Sequence, residues 1–587
     1  MTAQLQFTGG GVTALGNSMT QFTPTPGAIR TRAERWASGS GTTLTSLALP
    51  LQQGQLMPAN IAQVSVWRLN TEIAAYVEPL GTWPDGSART LFIQTSQTLT
   101  NGVPVVGEVR LTGGFTVARR TRVDDSATWV NNNTTTWRSG GLPEGAIVAT
   151  SAAHLCAASS FGLLVPQATQ PVFSGSANVD VAFDAAYEVV IVGDPDGSSR
   201  FPAYYDRVVA INHKYCRTAN TKYLKDAIAH AARMRTVHWA PNSFNANEQY
   251  SAPKSYTWLY LMRRDTPALD AIKLLAAFIG IDPADSYHNY GGRFIGKILG
   301  FVAGAVKCGF TTQLDPYGTK TYQDLINICI TQGLTKGSNK LTQTNDAISF
   351  RKSAEDGVTD RWAHVGFMVG LYADAMIDLI NCAPTSTQNL AAMRAQLVAS
   401  LGRLNTELAT TSDGGSRTYN YANVIYYYGA AAGTVASTYV SGTTININVP
   451  SLAGSAGANG FLIIGGVSRA HLGTTFDGSG NGTLTLTEGF PTGHAAATVV
   501  SFVRADGGPD INSVDLNGFF PSVFAWRATQ TNNVADANEA RAVYAPIGFT
   551  PRNGSNGPDI QSAFIKKFEE SFYISPLALA YLQQSGL

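Results

Sequence analysis

Two hydrophobic periods divide the chain. Over residues 1 to about 200, apolar residues come in short alternating runs, AQVSVWRL, ARTLFIQT, VPVVGEVRL and AAYEVVIVG, each bounded by Gly, Pro, Asn or Asp. Period two with such punctuation predicts the strands of a barrel or sandwich. From Phe201 the period lengthens: Tyr205, Val208, Val209, Asn212, Tyr215 and Cys216 trace one stripe, and Tyr223, Leu224, Ala227, Ile228 and Ala231 the next. Stripes at this spacing are the buried faces of amphipathic helices. Further helices are expected at 266–281, 290–308, 358–382 and 387–409. Asn220-Thr-Lys-Tyr-Leu-Lys-Asp-Ala-Ile is echoed by Gly318-Thr-Lys-Thr-Tyr-Gln-Asp-Leu-Ile, the kind of repetition that marks stacked helical hairpins.

The helical period is expected to stop near Gly429, with the run Tyr426-Tyr427-Tyr428 ending the last helix. TTININVP and GTLTLTEGF then alternate, and Asp477-Gly-Ser-Gly-Asn-Gly is hairpin chemistry. Helical pattern returns in FFPSVFAWRAT and IQSAFIKKFEESFYISPLALAYLQQ. The expected architecture is therefore multidomain α and β. An all-β barrel or sandwich domain (1–200) precedes an α/α toroid (201–430). An inserted small β domain (431–508) interrupts the toroid, and C-terminal helices (509–587) complete it.

Composition narrows the partners. Of 587 residues 44% are hydrophobic and only 14% charged, against about 25% in ordinary soluble proteins, so Ser, Thr, Asn, Gln and Gly must supply the polar surface. Such a surface suits a protein built into a large assembly, or one that meets carbohydrate through neutral hydrogen bonds. The formal charge of +1 leaves no cationic excess to displace counterions, which argues against nucleic acid. Cys156, Cys216, Cys308, Cys329 and Cys382 show no metal-ligand spacing and are expected as reduced, buried thiols. No glycine-rich nucleotide loop, nucleophile elbow or zinc signature is present, so no cofactor and no metal are expected. The start, MTAQLQFTGGGVTALG, lacks the basic and apolar regions of a secretory signal. The apolar run Phe294–Val306 is too short to span a bilayer, so no membrane insertion is expected.

Trp83-Pro84-Asp85-Gly86-Ser87 is turn chemistry leading straight into ARTLFIQT. This turn and strand resemble the first domain of the exo-rhamnogalacturonan lyase family, in which a β-barrel module precedes an α/α toroid. The resemblance implies ancestry and architecture and carries over no catalytic residue. GFLIIGGVSRAHLGTTFDGSGNGTLTLTEGFPTGHAAATVVSF is similar to a small β module of phage structural proteins. Together the two resemblances imply a tail fibre or tailspike type of virion protein, made in the host cytoplasm without a signal peptide and released by lysis. It would bind host surface polysaccharide, cleaving it by β-elimination if active, and would assemble with other phage tail proteins, as a homo-oligomer. Two alternatives stay open: a structural or receptor-binding virion component without turnover, and an intracellular bacterial polysaccharide lyase.

Candidate site residues follow from what a lyase needs, namely a cation for the uronate carboxylate, a base and an acid. His288, Tyr290 and Arg293 form one cluster on a loop leading into an apolar helix. Asp360, Arg361, Trp362 and His364 form a second, read as the start of a long helix in which Arg361 and His364 share a face. The catalytic candidates are His288, Tyr290, Arg293 and His364, and the substrate-binding candidates are Arg361, Trp362, His238, Trp239, Tyr419 and Tyr421. His238 and Trp239 belong to a stretch read as a polar loop, VHWAPNSFNANEQY. Glycoside hydrolysis would need two carboxyls about 5–10 Å apart; Glu248, Glu355, Asp356 and Asp360 are available, and no spacing singles out a pair. Each cluster has an ordinary structural reading as well: rim packing, a buried His–Asp pair, or a solvated loop.

Overall fold

The computed structural model describes residues 27–188, 206–244, 252–281, 291–310, 323–324, 327, 350–351, 362–411, 417–419, 424–427, 431–454, 458–465, 467–486, 489–506, 520–544 and 573–587. Within them the chain is a mixed α and β protein with a curled N-terminal sheet followed by a helical region.

The N-terminal strands are β1 (Ile29–Arg35), β2 (Ser40–Pro50), β3 (Ser65–Arg68), β4 (Thr71–Ile73), β5 (Ala75–Thr82), β6 (Ala88–Thr100), β7 (Val105–Arg110) and β8 (Gly145–Ala149). They form one eight-stranded sheet in the order β4-β3-β7-β1-β8-β2-β6-β5. The longest ladder pairs β2 with β6, from Ser40 opposite Thr100 to Pro50 opposite Thr90. The turn between β5 and β6 is the Trp-Pro-Asp-Gly-Ser sequence. Trp83 N–H donates to the Ser87 carbonyl at 2.8 Å, and Gly86 takes φ +83°, a conformation glycine adopts without strain. Asp85 accepts from both the N–H and the hydroxyl of Ser87.

That turn faces the helices. The Arg89 guanidinium lies 3.8 Å over the Trp83 ring, and Ser160 Oγ donates to the Arg89 carbonyl at 3.0 Å. The Thr90 hydroxyl donates to the Leu261 carbonyl at 2.8 Å. Gly81, at φ +64°, lies so close that a Cβ there would stand 2.3 Å from the Lys307 carbonyl oxygen. One hydrophobic core accordingly runs from Leu47, Leu91 and Ile93 of the sheet into Val208, Trp258 and Phe301 of the helices.

The first 200 residues are not all strand. Helices α1 (Ala152–Ala158) and α2 (Asn178–Ala186) fall within them, and the expected strand AAYEVVIVG begins in α2; its residues 189–193 lie outside the described residues. Val179, Phe183 and Tyr187 recur at helical spacing. The Tyr187 ring stacks 5.2 Å from Phe183, and its hydroxyl donates to Asp226. That packing accounts for helix over Asn178–Ala186 and for the placement of Tyr187, where the expected strand begins.

The helical region continues with α3 (Arg207–Thr218), α4 (Thr221–Met234), α5 (Pro253–Arg263), α6 (Thr266–Ile281) and α7 (Gly291–Lys307). Strands β9 (Phe350–Arg351) and β10 (Trp362–Val365) then lead into α8 (Gly366–Cys382) and α9 (Leu390–Leu408). Ala219 at φ +54° and Arg264 at φ +61° end α3 and α5 in the left-handed conformation that typically stops a helix. The next helix follows at once, so α3 packs on α4 and α5 on α6, while α3, α5, α7 and α8 also contact one another in succession. Of the echo at 318–326, only Gln323 and Asp324 are described, and both are helical.

Beyond α9 come β11 (Ala409–Thr411), β12 (Arg417–Tyr419), β13 (Val424–Tyr427), β14 (Ala431–Val435), β15 (Thr444–Asn448), β16 (Ala458–Ile464), β17 (Val467–Thr474), β18 (Asn481–Leu486) and β19 (Val499–Asp506). Tyr426 and Tyr427 are thus strand residues and end no helix. The order β14-β15-β18-β17-β16-β19, with β14 also paired to β19, closes a barrel. Its own core contains Tyr439, Ile447, Leu462, Phe476, Leu484 and Phe502. On β15 and β18 burial alternates strictly. The outward side chains form a neutral ladder, in which Thr483 Oγ1 donates to Asn446 Oδ1 at 2.7 Å and Asn448 Nδ2 to Asn481 Oδ1 at 2.8 Å. From β19 the sheet continues through β13 to β10, which runs directly into α8, and ends at β9.

Two more helices, α10 (Phe520–Thr531) and α11 (Val534–Tyr544), follow the barrel. Helix α10 packs on α8 and α9, where Arg527 Nε donates to the Val398 carbonyl at 3.0 Å. A last helix, α12, covers residues 573–585. It reaches α3 through Tyr573, stacked 5.2 Å from His213, and α8 through the Tyr581 hydroxyl, 3.0 Å from Asn381 Nδ2.

Candidate functional site

His288, Tyr290, Arg361 and Tyr421 lie outside the described residues, and Arg293 occupies the first turn of α7. Trp362 and His364 are in β10, not at a helix start. Trp362 pairs with Tyr427 and His364 with Ile425 across to β13, while Trp362 also pairs with Arg351 on β9. Because Trp362–Val365 is extended, His364 stands on a strand and not on the expected helix; its expected partner Arg361 lies outside the described residues. Tyr419 is in β12, opposite Ala409.

The stretch around His238 and Trp239 is likewise not a solvated loop at its start. Helix α4 continues into a wide π-helical turn, Arg235–Trp239, which carries the Trp239 ring to 4.5 Å from Tyr256 and leaves it 2% exposed. A ring so enclosed offers no face to a sugar. His238, one residue before, is half-buried.

What the fold does bring together is a charged cluster in the middle of the helices. Lys254 Nζ of α5 lies 2.5 Å from Asp374 of α8, donates to the Tyr573 hydroxyl and sits 4.1 Å over that ring. One helical turn further along α8, Asp378 receives Lys307 Nζ at 2.5 and 2.6 Å. Asp206, ahead of α3, accepts from the Ser255 N–H at 2.7 Å. Burial raises the Asp374 carboxyl despite Lys254, whereas at Asp378 the ammonium groups of Lys307 and Lys254 outweigh burial and hold its pKa down. The same burial works against the Lys254 ammonium, and Asp374 and Asp378 more than offset it. Burial also pushes His213 down to about 3, keeping it neutral.

Each ammonium thus rests on a carboxylate. The space between Lys254, Lys307, Asp378, Thr257 and Ser160 is about that of one water molecule. The arrangement ties α5, α7, α8 and α12 together and has no room for a sugar ring. Its sequence signal was two carboxylates four apart in an apolar helix, which can be balanced only by cations from neighbouring helices.

A second arrangement is open. The segment 130–140 curls into a depression of about 480 Å³ lined by Val130, Asn131, Asn132, Asn133, Thr134, Thr136, Ser139 and Gly140. Its floor is Asn131, 1% exposed, whose Nδ2 donates to the carbonyls of Trp137 at 2.7 Å and Ala229 at 2.9 Å. Asn133 Oδ1 accepts from the N–H groups of Thr135 and Thr136, fixing the rim. Arg138, the nearby cation, is engaged by Glu188 at 3.2 Å and Asp226 at 3.0 Å. The uncharged run Asn131-Asn-Asn-Thr-Thr-Thr136 was the available sequence signal. It has no catalytic residue type, so by composition it marks only a turn.

Among the described residues no group of three or more His, Cys, Asp or Glu could hold a metal ion. No described helix is long and apolar enough to cross a membrane. No family model matches the chain, and neither a curated protein nor a solved structure matches it.

Proposed function

We propose that this chain is a tail-associated phage virion protein that binds host surface polysaccharide, built as an N-terminal β-barrel module, an α/α toroid and an inserted β-barrel. The carrying observation is how polarity is distributed. Amide and hydroxyl groups face outward in the depression at 130–140 and on the β15–β18 ladder, while Lys254, Lys307, Asp374 and Asp378 are withdrawn into buried pairs. Neutral donors and acceptors match the hydroxyls of sugars without the desolvation cost of charges. The toroid reading is supported by the serial contacts of α3, α5, α7, α8 and α10 and by α12 reaching both α3 and α8. The insertion reading is supported by α10 packing on α9 across the intervening strands.

The closed ion pairs favour binding over turnover. Co-sedimentation of the purified protein with a panel of capsular and O-antigen polysaccharides tests this, with ultraviolet monitoring for unsaturated uronate. Saturable binding without new absorbance is expected. Failure to bind any member overturns the reading, and the appearance of unsaturated products replaces it with a lyase.

A further inference from the structure

We infer that the depression formed by residues 130–140 is a subsite for a neutral sugar unit, an inference that rests on the polysaccharide-binding reading. Its volume of about 480 Å³ lies within the range of about 300–1,000 Å³ in which small-molecule sites fall. The cup is preformed. Asn131 anchors the floor to α4 through Ala229, and its backbone N–H donates to Thr236 Oγ1 at 3.2 Å. The Trp137 ring beneath is 2% exposed and meets His230 edge-on at 5.9 Å. A rigid cup spares a ligand the cost of ordering the loop.

The lining specifies the ligand class. Asn132, Thr134 and Thr136 are exposed, and they present amide and hydroxyl groups that donate and accept in the way sugar hydroxyls require. Val130, 51% exposed, adds the apolar edge that the C–H face of a pyranose covers. No charged side chain lines the cup, and the Arg138 guanidinium is taken up by Glu188 and Asp226. A uronate carboxylate would find no cation here. The Asn131 Oδ1 atom is buried and accepts from no described residue. A Cβ at Gly140 would lie 2.5 Å from it, so glycine at that position keeps the floor in place.

Titration calorimetry of the full chain with maltohexaose, cellohexaose and mannohexaose as neutral probes, and hexagalacturonate as the acidic one, tests the assignment. At least one neutral hexasaccharide is expected to bind. The triple variant Asn132→Ala, Thr134→Val, Thr136→Val should weaken that binding at least tenfold at an unchanged melting temperature, since all three side chains are exposed. Thr134→Val alone should weaken it two- to fivefold. The assignment is overturned if none of the neutral probes binds, if hexagalacturonate binds more tightly than all of them, or if the triple variant binds like the parent chain. Retained binding of whole polysaccharide by the triple variant removes the subsite and leaves the broader reading standing. Failure of the parent chain to bind any polysaccharide removes both.

Discussion

The two β regions are built on opposite principles. In the N-terminal sheet Leu91, Phe92 and Ile93 are consecutive and all buried, because one face of β6 lines the sheet interior and the other meets the helices. On β15 and β18 of the closed barrel, burial alternates residue by residue, because only the inner face is covered. A strand buried on both faces reads as a continuous apolar run, and one buried on a single face reads as an alternation. The first region is therefore part of the main core, whereas the second encloses a core of its own. Whether a β region behaves as a separable unit is decided by what lies on its outer face.

That contrast can be broken at the weld. Gly81→Leu would drive a side chain into the Lys307 carbonyl and the Leu261 side chain at a positive φ. We expect a loss of at least about 4 kcal/mol, with sheet and helix signals moving together in urea titrations. Movement of the sheet signal alone would refute the shared core. Next in size, Phe502→Ala, at a residue 0% exposed in the barrel, should cost about 3–5 kcal/mol. Calorimetry should show a separate barrel transition moving while the main one stays; a single transition shifting as a whole would argue against a self-contained barrel.

Acid distinguishes the same two units more gently. Burial holds His213, in the main core, and His471, in the barrel, down to about 3, against an ordinary value near 6.5. Below that ordinary value the unfolded chain takes up protons that the folded chain refuses. The stability due to neutral burial is complete above about pH 6.5 and drains away toward pH 3, by roughly 3 kcal/mol per histidine between pH 7 and 4. His213→Phe should flatten the pH dependence of the main transition only, and His471→Phe that of the barrel only, measured as melting temperature against pH. The smallest effect is expected from Thr483→Val, which removes the hydroxyl bonded to Asn446. About 0.5 kcal/mol should be lost, detectable only in the barrel transition.

Much of the fold was legible in the sequence because period and packing agree there. The stripe at 266–281 coincides with α6, and 387–409 differs from α9 by a few residues. The Trp-Pro-Asp-Gly-Ser turn was legible for its local chemistry; that it faces the helices became apparent only from Arg89, Thr90 and Gly81. Local sequence misleads where a distant partner decides conformation. Trp362-Ala-His-Val is extended because β13 and β9 pair with it, and Trp239 is buried because a π-helical turn swings it onto Tyr256. The candidate site was less legible still. Catalytic chemistry points to His, Arg and Tyr, whereas the open depression is lined mostly by Asn and Thr, residues that by themselves mark only a turn.

Closure of the barrel also bears on colloidal behaviour. With a formal charge of +1 copies of the chain repel one another little, the condition under which proteins tend to associate and precipitate. Unpaired strand edges would then be the main hazard, and the barrel strands β14 to β19 form a ring without one. Among the described residues, the edges of the two larger sheets are otherwise poor templates. β9 spans two residues and β4 three, and β5 carries Pro79, which has no N–H to offer, beside Glu78 held by Arg264 at 2.5 Å. Among the described residues, connectivity thus supplies a resistance to stacking that the low net charge does not.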